Sequence, residues 1–286
     1  MKIATDILKD EKSELYFKTK GVGKTVLFIH GSVSDLRTFD YQYEEFANHF
    51  RTFSLSRQFY YPDKFVENGD TSINANIEKL NQFCVSQNLK ELNLVGHSYG
   101  AFVTLAFAMK YKEKVKSITL VEPMIGKVLI RNIPSFIKLM LMNFTIFKEF
   151  IENGKNNIAP TIKALKSKDF HRAQTKFADS LFGQSVDLNS ISEIIRQPLK
   201  DNIEILQSEI NVWNNPFDIK TLKYFKVPTL LIIGQNSQSF MKLISKRLNQ
   251  RIANSTLVEI EKSKHFVQVD NPYVFNLKVI KFINDN

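Results

Sequence analysis

Leu92-Asn93-Leu94-Val95-Gly96-His97-Ser98-Tyr99-Gly100 is the stretch that decides the fold. Its first four residues make an apolar run of strand length, and its last five set two glycines around a serine. Beyond Gly100, the residues Phe102, Leu105, Ala106 and Met109 form an apolar face at helical spacing. A buried strand, a sharp turn and a helix are thus expected in direct succession. Glycines at both ends of such a turn let backbones pass closely, and Ser98 is expected at its tip with the hydroxyl exposed. The bare pattern Gly-x-Ser-x-Gly is modest support, because it also arises by chance. Its setting between strand and helix sharpens it against the bland alternative, a serine that merely caps a helix.

The same grammar extends outward. Val26–Ile29 is an apolar run closed by His30-Gly31, and Thr52–Leu55, Ile118–Val121, Leu230–Ile233 and Leu257–Ile260 are further short runs bounded by turn signals. Such runs suit strands of a parallel sheet buried on both faces. Between them, Ile73, Ile77, Leu80 and Cys84 follow a helical period with Asp70, Thr71 and Ser72 available as caps. Near the end, Asn271-Pro272 opens a helical segment through Phe282. The alternation predicts an α/β fold, a doubly wound and mostly parallel sheet, with Tyr16-Phe17 in one of two antiparallel strands at the front. Gly21-Val22-Gly23-Lys24-Thr25 echoes a phosphate-binding loop, but it precedes a strand instead of joining strand to helix, so it reads as a hairpin turn.

The alternation breaks once. From Gly126 to about Trp213, helical segments follow one another without a convincing strand. The expected organisation is a core domain of residues 1–125 and 214–286 with a helical cap, 126–213, inserted over the C-terminal edge of the sheet. Within the insertion, Pro134–Ile151 is apolar almost all round. Ile133, Phe136, Ile137, Met140, Leu141 and their neighbours are expected either to line an acyl pocket or to form the cap's own core.

Composition narrows the function. The chain has 286 residues, 43% hydrophobic and 24% charged, enough for a sizeable core. A single cysteine, Cys84, excludes an internal disulfide framework and any cysteine-based zinc site, and it reads as core rather than nucleophile. The five histidines lie far apart without metal-ligand spacing, so no metal and no cofactor are expected. No secretion signal is seen, and the longest apolar run, Leu139–Phe147, falls short of the roughly 18 residues that span a bilayer. A soluble, cytoplasmic protein is the expectation. The net charge is +10, and between Lys127 and Lys176 ten Lys or Arg face three acids, a balance of +7. No nucleic-acid-binding signature accompanies that charge, so no nucleic-acid partner is expected. Weak association of the basic cap with an anionic membrane surface is the one macromolecular contact the charge suggests. The oligomeric state is not legible.

Four segments together resemble the α/β-hydrolase superfamily over almost the whole length. Phe28-Ile29-His30-Gly31-Ser32 is similar to its His-Gly motif, Val95–Gly100 to its nucleophile elbow, Val227–Gly234 to its penultimate strand, and Lys262-Ser263-Lys264-His265-Phe266 to the loop bearing its histidine. The resemblance implies Ser98 as nucleophile, His265 as base, and the backbone N–H groups of Ser32 and Tyr99 as the oxyanion hole. His30 is then a structural hydrogen-bonder, and His97 points away from Ser98 into packing.

The third triad member departs from the family's usual pattern. An aspartate normally follows the penultimate strand, but Gly234-Gln235-Asn236-Ser237-Gln238-Ser239-Phe240 holds no carboxylate. A minority arrangement uses the end of the preceding strand, where this chain has Glu122; otherwise Asn236 would orient His265 weakly. The implied activity is that of a serine hydrolase on a small-molecule carboxylic ester or related acyl substrate with an apolar moiety. A serine nucleophile sets the chain apart from the dehalogenase and epoxide-hydrolase branches, which attack with an aspartate. Acyltransferase, thioesterase, carbon–carbon bond hydrolase and a non-catalytic ligand-binding protein are the alternatives.

Overall fold

Runs of aliphatic residues with no polar face are stable only between other elements on both sides, and this requirement sets the order of the sheet. The computed structural model describes residues 6–9, 14–67, 69–210 and 217–286. Eight strands form one sheet: β1 (Asp6–Lys9), β2 (Glu14–Lys20), β3 (Thr25–Ile29), β4 (Arg51–Leu55), β5 (Leu92–His97), β6 (Val115–Val121), β7 (Thr229–Gly234) and β8 (Ser255–Ile260). Their spatial order is β1-β2-β4-β3-β5-β6-β7-β8. β2 pairs antiparallel with β1 and with β4, and all later pairings are parallel. Every residue of β5 and β7 is buried, as their apolar runs require.

Two expectations are corrected by this order. Gly21 and Gly23 do not turn a hairpin, because β2 and β3 are not neighbours: β4 lies between them. The two glycines instead link strands one position apart, both in the left-handed region. β8 is not buried on both faces either, since it ends the sheet and most of its residues keep contact with solvent.

Three helices follow the first strands: α1 (Asp40–Ala47), α2 (Ile73–Ser86) and α3 (Tyr99–Lys110). Among the described residues, seven more lie between β6 and β7: α4 (Gly126–Leu129), α5 (Ile133–Met142), α6 (Phe144–Asn153), α7 (Ala159–Lys166), α8 (Phe170–Phe182), α9 (Glu193–Asp201) and α10 (Leu206–Ile210). α11 (Ser239–Asn249), α12 (Val267–Asp270) and α13 (Pro272–Asp285) complete the chain. Ser72 caps α2 through the Ala75 N–H, and Asn271 caps α13 through the Val274 N–H. One core packs α2, α3 and α11 on one face of the sheet, with Phe83, Phe107 and Phe240 fully buried in it. A second packs Phe39, Phe46 and Phe275 against Val26, Phe28 and Val95 on the other face. The expected boundary between insertion and core at 213/214 lies outside the described residues.

The long apolar stretch 134–151 is broken at Asn143 into α5 and α6. Its outer residues neither line a pocket nor form a core: Ile133, Leu141, Met142 and Phe144 are 75, 73, 68 and 65% exposed. The core of the insertion is built from α7, α8 and α9 instead, around Leu165, Phe177 and Ile195.

Candidate active site

The turn between β5 and α3 is tight enough to dictate its own residues. A side chain at Gly100 would place a carbon 2.2 Å from the Ile29 carbonyl oxygen, and one at Gly96 would lie 2.3 Å from the Thr104 hydroxyl. Ser98 sits between them at φ 54°, in the left-handed region, with its N–H donated to the Val121 carbonyl at 2.8 Å. The serine is not exposed as expected but 7% accessible, held under its neighbours. Three more non-glycine residues near it share this strained backbone: Val33 after the His-Gly motif, Glu122 at the end of β6, and Lys262 before His265. Such conformations cost about 1–3 kcal/mol each and persist where surrounding structure imposes them.

The end of β5, the end of β6 and the loop after β8 bring three side chains together. Ser98 Oγ lies 3.0 Å from His265 Nε2. On the other side of the ring, His265 Nδ1 faces Glu122 Oε2 at 3.5 Å, and neither of these two atoms has a hydrogen-bond partner among the described residues. The other Glu122 oxygen accepts the Gly234 N–H at 2.7 Å, which fixes the carboxyl group across the ends of β6 and β7. Burial pushes the Glu122 carboxyl up to about 8, against the pull of that N–H, of Ser237 and of the Lys242 charge. Burial pushes His265 down to about 3, so the ring rests neutral with a lone pair available for a proton. Asn236 is exposed, and only its backbone is tied here, to the Ser263 carbonyl.

The two amides assigned to the oxyanion hole differ in origin. Tyr99 is the first residue of α3, where helical geometry leaves N–H groups without a partner inside the helix. Ser32 follows β3 in a loop. Neither N–H is donated to any atom among the described residues. Two further buried histidines, His97 and His30, are tied to backbone groups. His97 donates from Nε2 to the His265 carbonyl at 2.8 Å and packs against the His265 ring at 4.8 Å. His30 donates from Nδ1 to the Gly31 carbonyl and accepts the Arg57 N–H at Nε2, both at 2.8 Å.

The pattern that defines the alpha/beta hydrolase fold matches residues 24–272 of the chain, the span that carries all of these residues. The chain belongs to the α/β-hydrolase family. Epoxide hydrolase 1 of Caenorhabditis elegans is 24% identical over 91% of this chain and 64% of its own length. A protein of Mycoplasma pneumoniae named putative esterase/lipase 2 is 23% identical over 77% of this chain and 74% of its own. The chain spans less than two thirds of the length of the first curated relatives it matches. Among solved structures, the bromoperoxidase of Bacillus anthracis superposes with a TM-score of 0.76, covering 98% of this chain and 100% of that one at 17% identity, a likeness of fold.

One part of the hydrolase is invisible to sequence motifs. Arg57, just after β4, is buried in an ion pair with Glu209 of α10 at 2.8 Å. Its guanidinium also donates to the Gly31 carbonyl at 3.1 Å, to Tyr60 Oη at 2.8 Å and to Asn76 Oδ1 at 3.2 Å. It lies over the rings of Tyr60 and Tyr99, 4.4 and 4.8 Å from their centres. The only trace in the sequence is a lone charge after an apolar run, followed by Phe59-Tyr60-Tyr61; Glu209 has none. Beside Ser32, a narrow apolar crevice runs between the loop after β3 and the insertion, lined by Val33, Phe177, Leu181, Phe182 and Phe266. Ile195 and Leu199 of α9 complete it, none of its lining comes from α5, and at about 10 Å³ it is packed closed.

Proposed function

We propose that this α/β hydrolase is a serine hydrolase that cleaves a carboxylic ester or related acyl compound through an acyl-enzyme. The observation that carries the reading is the single line of Ser98 Oγ, the His265 ring and the Glu122 carboxyl, at 3.0 and 3.5 Å. A serine hydroxyl is a weak nucleophile until a base takes its proton, and a buried neutral imidazole within hydrogen-bond reach is such a base. Ser98 Oγ attacks the acyl carbon as its proton passes to His265 Nε2. The imidazolium so formed faces Glu122, whose carboxyl balances the new charge in the fraction of molecules where it has already lost its proton to solvent, a fraction that grows toward pH 8. The carbonyl oxygen, now anionic, takes the N–H groups of Ser32 and Tyr99. His265 returns the proton to the leaving alcohol, and water then repeats the sequence to release the acid.

Arg57 and His30 serve this scheme as positioning residues. Both donate to the Gly31 carbonyl, and in a trans peptide the N–H of the next residue points the opposite way. Holding that carbonyl therefore aims the Ser32 N–H. The name of the Mycoplasma relative, esterase/lipase, is consistent with this class of substrate.

The test is covalent. Intact-mass labelling with a fluorophosphonate should add one equivalent to the wild type and none to Ser98→Ala, and an ester and thioester panel should turn over with the wild type alone. Absence of labelling in folded wild type would sink the reading.

A further inference from the structure

The outer face of the α5–α6 hairpin carries a surface that the active-site chemistry does not use. Along α5, Ile133, Ile137 and Leu141 recur every fourth residue on one side and are 75, 43 and 73% exposed; Met142 and Phe144 extend the stripe across the turn. The hairpin itself is firmly built. Asn132 and Ser135 form a reciprocal cap at the start of α5, Leu139 is fully buried, and Phe136 meets Phe147 edge-on at 5.0 Å. Phe150 packs on Phe240 of α11 at 5.6 Å, anchoring α6 to the core. The exposed side chains are therefore left outside by a well-packed element, not by a frayed one.

Charge identifies what such a face meets. Lys127, Arg131, Lys138 and Lys155 around the stripe are exposed and have no carboxylate within ion-pair distance among the described residues. The nearby acids are engaged: Glu149 accepts the Ser239 N–H at 2.7 Å and Glu152 lies 3.8 Å from Lys148. A second copy of the chain would bring its own excess of cations to the contact, given a net charge of +10. A nucleic acid would leave the apolar stripe uncovered. A lipid surface with anionic headgroups satisfies both, accepting aliphatic side chains at the acyl boundary and cations at the headgroup level. We infer that the α5–α6 hairpin docks this protein on anionic membrane surfaces.

The inference does not rest on the reading of Ser98, and the experiment uses the 286-residue chain carrying Ser98→Ala so that turnover plays no part. Co-sedimentation is measured with vesicles of phosphatidylcholine alone and of phosphatidylcholine mixed with phosphatidylglycerol. Binding to the mixed vesicles is expected at low salt, weakening as salt screens the cations. The double variant Ile137→Asp/Leu141→Asp should lose at least tenfold in affinity, and Arg131→Glu/Lys138→Glu should lose about as much. Both pairs are exposed, so thermal unfolding should stay at the parent value and certify the fold. No binding to the mixed vesicles, or binding that ignores both double variants, overturns the inference. So does concentration-dependent dimerisation in sedimentation velocity that Ile137→Asp/Leu141→Asp abolishes, which would make a second copy the occupant.

Discussion

Two buried acid–base pairs meet around Ser98, equally hidden from water and opposite in character. Arg57 and Glu209 are 3 and 0% exposed in their side chains and touch at 2.8 Å; His265 and Glu122 are 1 and 0% exposed and stand 3.5 Å apart. Burial opposes charge at Arg57 as well, but Glu209 and the oxygens of Tyr60 and Tyr99 outweigh it, and the guanidinium is held above its ordinary value. At His265 nothing outweighs burial, and at Glu122 one N–H, a hydroxyl and a distant lysine outweigh only part of it. The first pair ties the insertion to the loop after β3 through a guanidinium that keeps its charge. The second rests uncharged; it can become an ion pair only after the Glu122 carboxyl has lost its own proton, as pH rises toward 8, and the His265 ring has gained one. Burial alone does not set the charge of a side chain; the donors and countercharges placed around it do.

The comparison is broken most drastically by removing the hydroxyl that faces the His265 ring. Ser98→Ala should lower kcat by about 10⁴-fold or more while leaving thermal unfolding nearly unchanged. Residual turnover within tenfold of wild type would place the nucleophile elsewhere. Next in size, Glu122→Gln keeps the shape of the neutral pair and removes its reserve of charge, so kcat should drop by on the order of 10³- to 10⁴-fold. The pH profile sharpens this. With the Glu122 carboxyl raised from 4.5 to about 8, its carboxylate appears only as pH rises through that value, so kcat/KM should climb toward pH 8 and level off above it. Glu122→Gln should erase that rise; a limb surviving in the variant would belong to another group.

The Arg57–Glu209 pair predicts the reverse balance between stability and activity. Glu209→Gln leaves a buried guanidinium without its countercharge and should cost about 3–5 kcal/mol of folding stability, read from urea unfolding. The Ser32 N–H, aimed through Arg57 and the Gly31 carbonyl, would lose some of its alignment, and kcat should fall by about tenfold, well short of the effect at Glu122. Glu209→Asp should recover part of the stability. Equal losses of stability from Glu122→Gln and Glu209→Gln would erase the distinction between the pairs.

The pair proposed to perform chemistry can be picked out in the sequence; the pair that holds the architecture cannot. Ser98, His265 and Glu122 each sit at the end of a strand or in the loop after one, where short apolar runs and turn residues mark the position. Arg57 and Glu209 are 152 residues apart and belong to elements whose mutual placement depends on how the insertion folds back, which no local pattern records. The same limit applies to α5. Its apolar residues are those of a buried helix, and periodicity cannot tell whether a second layer covers them; in the structure none of the described residues covers Ile133 or Leu141. β8 shows a milder form of it, since its apolar run resembles that of β7 but lies at the edge of the sheet.

The smallest expected effect concerns the residue at the position where the family usually has its aspartate. Asn236 is the nearest amide to that position in the loop after β7, yet its side chain is exposed, and the loop is tied to the His265 segment through the backbone, by the Asn236 N–H and the Ser263 carbonyl at 2.8 Å. Removing the side chain leaves that bond intact. Asn236→Ala should therefore retain kcat and KM within about twofold and unfold within about 0.5 kcal/mol of wild type, as surface substitutions do. Its effect on the pH profile decides the matter more finely than its effect on rate. If the amide orients His265, the variant shifts the limb near pH 8; if Glu122 alone does, the limb stays where it is. A tenfold loss in kcat from Asn236→Ala, with Glu122→Gln nearly silent, would move the supporting role from the end of β6 to the loop after β7.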